Sequence, residues 1–409
     1  MRFRFRSRRT AAVAVIAAAL LAGPSFAAPP PAAAPGPVAL LRLIVRTGDR
    51  APDGGAYTVL ADPALNDRGD IAFGAETDRR QAAQGLYLRR DGRTTLLAAV
   101  GRQLSTGGEF HTLSDVVLNN RGTVIFLGRT TDRTARLVLY AARGGRIRPV
   151  VVTGQPAPSG GVFTDFANPT INDSDVIAFV GRTNGTGTEG IYTNVEGTTA
   201  TAVMGGWPAP TGGLFLFFLD GSPALNNRGQ IAFDAATTEH ATQGLYVLSD
   251  GRIVPLVTTD DTAPAGSPFT EFGFVSLSDS GTVSFVGRTA QSSVREALYA
   301  TGRDTLVTLA RQGQLVDGTA MTTFINAAMD DAEDVAFEPG IAQFPDVYPH
   351  TIYLARRSGV VTLVHEGERA PGGGRFSAFS QPLLNNRGQV VFVAETDDTH
   401  HGIYEVTLR

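Results

Sequence analysis

The sequence predicts an all-β protein: a seven-bladed β-propeller, four antiparallel strands per blade, with the N-terminal strand completing the last blade. Three observations predict it. A phenylalanine closing the pattern N-x-x-G-x-x-A-F, or a variant of it, recurs at Phe73, Phe126, Phe179, Phe233, Phe285, Phe337 and Phe392, at intervals of 53, 53, 54, 52, 52 and 55 residues. A tyrosine in or close to a G-[LI]-Y context recurs at Tyr87, Tyr140, Tyr192, Tyr246, Tyr299, Tyr353 and Tyr404, taking seven of the nine tyrosines. A third series, after G-x-x-A-P-x-G-G, runs Tyr57, Phe110, Phe163, Phe215, Phe269, Met321 and Phe376. Independent markers sharing one period indicate one supersecondary unit repeated seven times.

Residues 1–27 read as a signal peptide. Arg2, Arg4, Arg6, Arg8 and Arg9 form a basic start, Ala11 to Ala22 is apolar, and Ser25-Phe26-Ala27 offers a cleavage site. The apolar run is too short to span a bilayer. Ser7-Arg8-Arg9 leaves Sec and twin-arginine export both open. Residues 28–37 form an Ala/Pro-rich linker, and 38–409 the propeller. The expected location is periplasmic or secreted, after cleavage near Ala27.

Within each repeat, turn residues separate four short strands. In the third they are expected at Phe163 to Ile171, Val176 to Arg182, Gly190 to Asn194 and Thr199 to Met204. Asn66/Gly69, Asn119/Gly122, Asn226/Gly229 and Asn385/Gly388 read as hairpin turns, glycine supplying positive φ and asparagine bonding its own backbone. Asp175 and Glu333 replace the glycine in the third and sixth repeats, where a different turn is expected. The last repeat lacks a fourth strand. The orphan segment Ala39 to Val45 matches one, so it is expected to close the ring and remove a free edge.

Composition narrows the function. There is no cysteine, and all 35 basic residues are arginine. Disulfides, thiol catalysis, zinc–thiolate sites and lysine Schiff bases are therefore excluded. Without the leader, 30 arginines face 39 acidic residues, a net charge of −9 with histidine neutral. That mild acidity argues against nucleic acid, and no segment predicts a membrane span.

The units Leu225 to Phe233, Gly244 to Tyr246 and Gly367 to Gly374 resemble those of the bacterial exported N-x-x-G-x-x-A-F tandem-repeat proteins, also called choice-of-anchor repeat proteins. The resemblance covers essentially all of residues 38–409. It implies a propeller displayed at or beyond the cell envelope and implies no reaction. Such proteins often end in an anchoring segment, for which this sequence shows no signal, favouring a periplasmic or released form.

Candidate site residues are those that break the repeat in the loops joining second to third strands or one blade to the next. His240, His350, His400 and His401 fall in the former, and His365 begins the loop into the last blade. They are candidates for a metal or acid–base role, or solvated loop residues. Arg129, Arg182 and Arg288 recur in G-R-T context, with Glu76 and Glu395 at the same position elsewhere. They would hold a carboxylate or sulfate, or form an Arg–Glu ladder between adjacent blades. The acidic turns Asp173/Asp175 and Asp330, Asp331, Glu333, Asp334 offer oxygen ligands for a structural calcium ion, without the D-x-[DN]-x-[DN]-G pattern; no other cofactor is expected. Trp207, the sole tryptophan, would stack on a sugar or cover a blade edge. The longest departure from the repeat is Glu338 to His350 in blade six. No catalytic residue stands out, and no G-x-S-x-G elbow occurs. The reading is a monomeric, non-enzymatic binding module of the envelope with an unidentified protein or glycan ligand. An extracellular hydrolase or lyase and a structural matrix protein are the alternatives.

Overall fold

The computed structural model describes residues 40–408 except 80–83, 105–107, 133–135, 186, 220–222, 240, 291–293, 303–304 and 340–349. The expected leader and linker, His240 and most of the blade-six insertion lie outside the described residues. Among the described residues, seven four-stranded antiparallel sheets and one short hairpin, Leu315–Val316 with Thr319–Ala320, account for the regular structure. No described helix is long and apolar enough to cross a membrane.

Blade 1 is built in chain order from Tyr57–Leu65, Ile71–Thr77, Gln84–Arg90 and Arg93–Ala99. The third blade matches its expected strands to within a residue: Phe163–Ile171, Ile177–Thr183, Glu189–Val195 and Thr198–Met204. In blades 4 and 7 the first strand is broken, into Phe215–Phe218 with Ala224–Leu225 and Phe376–Phe379 with Leu383–Leu384. Blade 7 takes its fourth strand from the other end of the chain: Leu40–Arg46 pairs antiparallel with His401–Thr407. An Arg42–Glu405 ion pair of 2.7 Å and a hydrogen bond from Thr47 N to His401 O at 2.8 Å reinforce the seam.

The marker aromatics explain why the blades stack. Phe73 lies directly opposite Tyr87 across the sheet, rings stacked 5.5 Å apart, with Tyr57 edge-on to Tyr87 at 5.2 Å. The trio packs against the preceding blade: Tyr57, Phe73 and Tyr87 share a cluster with Val391, Val393 and Ile403 of blade 7. Phe110, Phe126 and Tyr140 likewise meet Ala72, Leu86 and Leu88 of blade 1. The core therefore lies between blades, and an isolated blade would leave its aromatic face in water. In blade 6 Met321 stands in for the first aromatic.

The glycine of G-L-Y follows from the same packing. A Cβ on Gly85 would lie 2.8 Å from the Tyr87 hydroxyl, so the ring occupies the space a side chain would need. The buried tyrosine hydroxyls reach the A-P-x-G turns: Tyr192 Oη lies 2.6 Å from Ser159 Oγ, and Tyr246 Oη 2.9 Å from Thr211 Oγ1.

The turns between first and second strands correct one expectation. Asp175 and Glu333 do not change the turn. Asp175 N bonds to Asn172 O at 3.1 Å as Gly69 N does to Asn66 O at 3.0 Å, with Asp175 at φ +59° and Glu333 at +65°. The strain of a left-handed non-glycine residue is offset by what the side chains reach. Asp175 accepts from Asn119 and Thr123 of blade 2, each at 2.8 Å, and Glu333 from Thr282 of blade 5 at 2.6 Å.

Candidate functional site

The first strands are innermost. The residues that end them, including Leu65, Ile171, Met329 and Leu384, ring an axial cavity of 180 Å³ with the turn residues that follow. At this mouth the repeated asparagines join the blades. The Nδ2 of Asn66 donates to Asn119 O at 3.0 Å, Asn119 to Asn172 O at 2.9 Å, Asn172 to Asn226 O at 3.1 Å, Asn226 to Ser278 O at 2.9 Å, and Asn385 to Asn66 O at 2.8 Å. Asp330 takes the position in blade 6, where burial, aided by the charges of Asp334 and Asp331, raises its carboxyl to about 6.

A second ring closes completely. The backbone N–H of Asp67 donates to the side-chain oxygen of Asn120, Asn120 to Asp173, Asp173 to Asn227, Asn227 to Asp279, Asp279 to Asp331, Asp331 to Asn386, and Asn386 back to Asp67, all at 2.6 to 2.8 Å. Asn120 Nδ2 also donates to both flanking carboxylates, Asp67 and Asp173. Amides and carboxylates alternate around this mouth except where Asp279 meets Asp331, and the closed ring of bonds makes it a clasp. Asp173 and Asp331, read as calcium candidates, are engaged in it. Asp175 pairs with Arg121 and Arg143, Glu333 with Arg357 and Asp334 with Arg356. Among the described residues, no three His, Asp or Glu side chains converge to hold a metal ion.

The loops between second and third strands lie at the other end of the sheets. There Arg182 bonds Glu189 at 2.8 Å, and Arg288 bonds Glu296 and Glu271, each at 2.8 Å. This corrects the expected ladder. Arg182 and Arg288 pair within their own blades, because Arg182 lies directly across from Glu189 and Arg288 from Glu296. The glutamate makes the step to the next blade: Glu189 Oε1 accepts the Phe218 N–H at 2.9 Å. Gln84 does the same for Leu113 with both amide atoms at 3.0 Å. Arg129 lies opposite Leu137 rather than an acid, is exposed, and forms no ion pair with a described residue.

The histidines sit in separate settings. His350 is 14% exposed, and its Nδ1 lies 3.2 Å from Glu338 Oε1. Burial raises the Glu338 carboxyl to about 7, with His350 pulling the other way. Glu338 can hold a proton near neutrality, yet nothing among the described residues completes a nucleophile–base arrangement around it. In blade 7, His400 Nδ1 lies 3.4 Å from Thr47 Oγ1, and His401 Nε2 3.7 Å from Glu395.

Trp207 departs from the repeat with a structural consequence. At the same turn position Asp49, Gln155, Asp261 and Gln314 accept a backbone N–H from the preceding fourth strand at 2.8 to 3.3 Å. Tryptophan has no such acceptor, and the residue is 44% exposed. The backbone of the loop is otherwise that of the other blades: Phe215 N donates to Trp207 O as Phe163 N does to Gln155 O, and Pro208 bridges Leu214 as Pro156 bridges Val162. Leu214, Leu216 and Phe217 are 43%, 48% and 47% exposed beside it. Leu216-Phe217 occupies the place of Thr58-Val59, His111-Thr112, Thr164-Asp165, Thr270-Glu271, Thr322-Thr323 and Ser377-Ala378. The signal was in the sequence: large apolar residues at two positions where most repeats are polar. Reading Trp207 alone missed its neighbours.

Solved structures similar to this one are propellers. The β-propeller domain of the Trilobed protease from Pyrococcus furiosus matches 86% of this chain over 94% of its own length, with TM-score 0.56 and 10% identity. A Mycobacterium tuberculosis puromycin-hydrolyzing peptidase matches 85% (TM-score 0.53, 13% identity), and the Pyrococcus horikoshii acylaminoacyl peptidase 84% (TM-score 0.50, 11% identity). The chain spans 52% of the length of each of these two peptidases. At these identities the likeness is one of fold alone. No curated protein matches the sequence. Residues 41–249 and 237–405 match the family model DUF7453, a family of unknown function.

Proposed function

The chain belongs to this family of unknown function, and from that premise we propose that it is a non-enzymatic binding module outside the cytoplasm, docking a partner protein on the rim of blade 4. One observation carries the reading. Trp207, Leu214, Leu216 and Phe217 are four exposed large apolar residues within one loop and the strand that follows it, whereas the other exposed ones among the described residues are scattered along the chain. Clustered apolar residues with an aromatic anchor mark protein interfaces. The resemblance to exported tandem-repeat proteins and the expected leader support the location.

A photo-crosslinking residue at Phe217 tests the reading, with the same residue at Thr112, its counterpart in blade 2, as control. A discrete adduct from position 217 alone is expected. Adducts that are absent, or identical at both positions, would overturn it.

A further inference from the structure

Two blades lack the acceptor that closes the turn before the first strand. Trp207 is one case and Arg102 the other. Arg102 donates instead to Leu97 O at 3.0 Å and lines a cavity of 640 Å³ with Arg143, Arg146, Arg148 and Asp175. All four arginines are exposed. Asp175 is the cavity's acid and is already committed. Burial opposes its ionisation, but hydrogen bonds from Thr123 and Asn119 and the charges of Arg143 and Arg121 hold its carboxyl below the usual range. Arg102, Arg146 and Arg148 form no ion pair with any described residue. The cavity is thus strongly positive on a chain of net charge −4.

We infer that this cavity binds a polyanionic glycan through its sulfate or carboxylate groups. Guanidinium groups recognise such oxyanions bidentately, and arginine is the cation this chain uses throughout. Arg146 and Arg148 are two residues apart in one strand, so they project on the same face about 7 Å apart. That spacing presents a row of charge rather than a single-ion pocket. A membrane surface fits less well, because no exposed large apolar side chain lines the cavity to enter a bilayer. The site is separate from the blade-4 rim, and each stands or falls alone.

The test is binding of the propeller to heparin and to polygalacturonate, with neutral dextran and phosphatidylglycerol vesicles as comparators. The expected result is binding to at least one polyanion, weakening as salt rises, and reduced at least about tenfold in R146Q/R148Q. The thermal midpoint of that variant should be unchanged, since both side chains are exposed; R148Q alone should give an intermediate loss. L216T/F217T should bind the polyanion as wild type does. Failure to bind either polyanion, equal binding by R146Q/R148Q, equal binding to dextran, or tighter binding to vesicles than to either glycan would overturn the inference.

Discussion

The side-chain amide of Asn385 donates to the backbone carbonyl of Asn66 at 2.8 Å, across 319 residues of sequence. Asn66 makes the same bond to Asn119 of the next blade at 3.0 Å. The last blade is thus joined to the first by the bond that joins blade 1 to blade 2, and the repeated asparagine is an inter-blade tie as well as a turn former.

Asn385→Ala should therefore cost more than an ordinary surface change. It removes the side-chain donor to the Asn66 carbonyl, which keeps the Gly69 N–H, together with the Asn385 Oδ1 acceptor of the Arg387 and Gln389 N–H groups in a buried turn, at about 1 to 3 kcal/mol in all. Urea unfolding measures it, and a loss within error would show the ring of amides to be incidental.

Deletion of residues 38–46 removes the fourth strand of blade 7 and uncovers the edge of His401–Thr407. The midpoint of thermal unfolding should drop by roughly 10 °C or more, since each lost kcal/mol is worth a few degrees in a domain of this size. A negligible change would contradict closure by the N-terminal strand.

At Asp175 the backbone and the side chain pull in opposite directions. Asp175→Gly relaxes the positive φ but loses the bonds to Asn119 and Thr123; Asp175→Ala loses those bonds and keeps the strain. The expected order of stability is wild type, then glycine, then alanine, with the last two about 1 kcal/mol apart. Equal stability of the two variants would remove the strain from the account.

Glu338 makes stability depend on pH. Its folded carboxyl is raised from 4.5 to about 7, so between those values the folded state holds a proton the unfolded chain releases. Stability relative to Glu338→Gln should fall as pH rises through that window and level off above it, by on the order of 3 kcal/mol. Parallel pH profiles for the two proteins would show that Glu338 keeps an ordinary carboxyl.

The architecture was legible because every blade repeats the same solution: the three aromatic series are the inter-blade core, and the orphan strand pairs where its pattern placed it. The inter-blade bonds were not. Asn66 reads locally as a turn residue, and its second partner, Asn119, comes near only when the ring closes. The Arg–Glu ladder was expected between blades, from Glu76 and Glu395 at the arginine's own repeat position; Glu189, the cross-strand partner of Arg182 within its blade, was not singled out because sequence spacing does not show cross-strand register. The arginine cavity was missed for a similar reason. Arg102 and Asp175 are 73 residues apart and belong to different repeats, so no local motif joins them.

The central claim, a partner seated on the blade-4 rim, is tested most directly at Trp207 itself. It is the sole tryptophan, so protein carrying 5-fluorotryptophan gives one fluorine resonance from the proposed interface. Titration with the partner identified by crosslinking at Phe217 should shift or broaden that resonance in saturable fashion, and the response should be lost in L216T/F217T. A partner that binds while the Trp207 resonance stays unchanged would contradict the account.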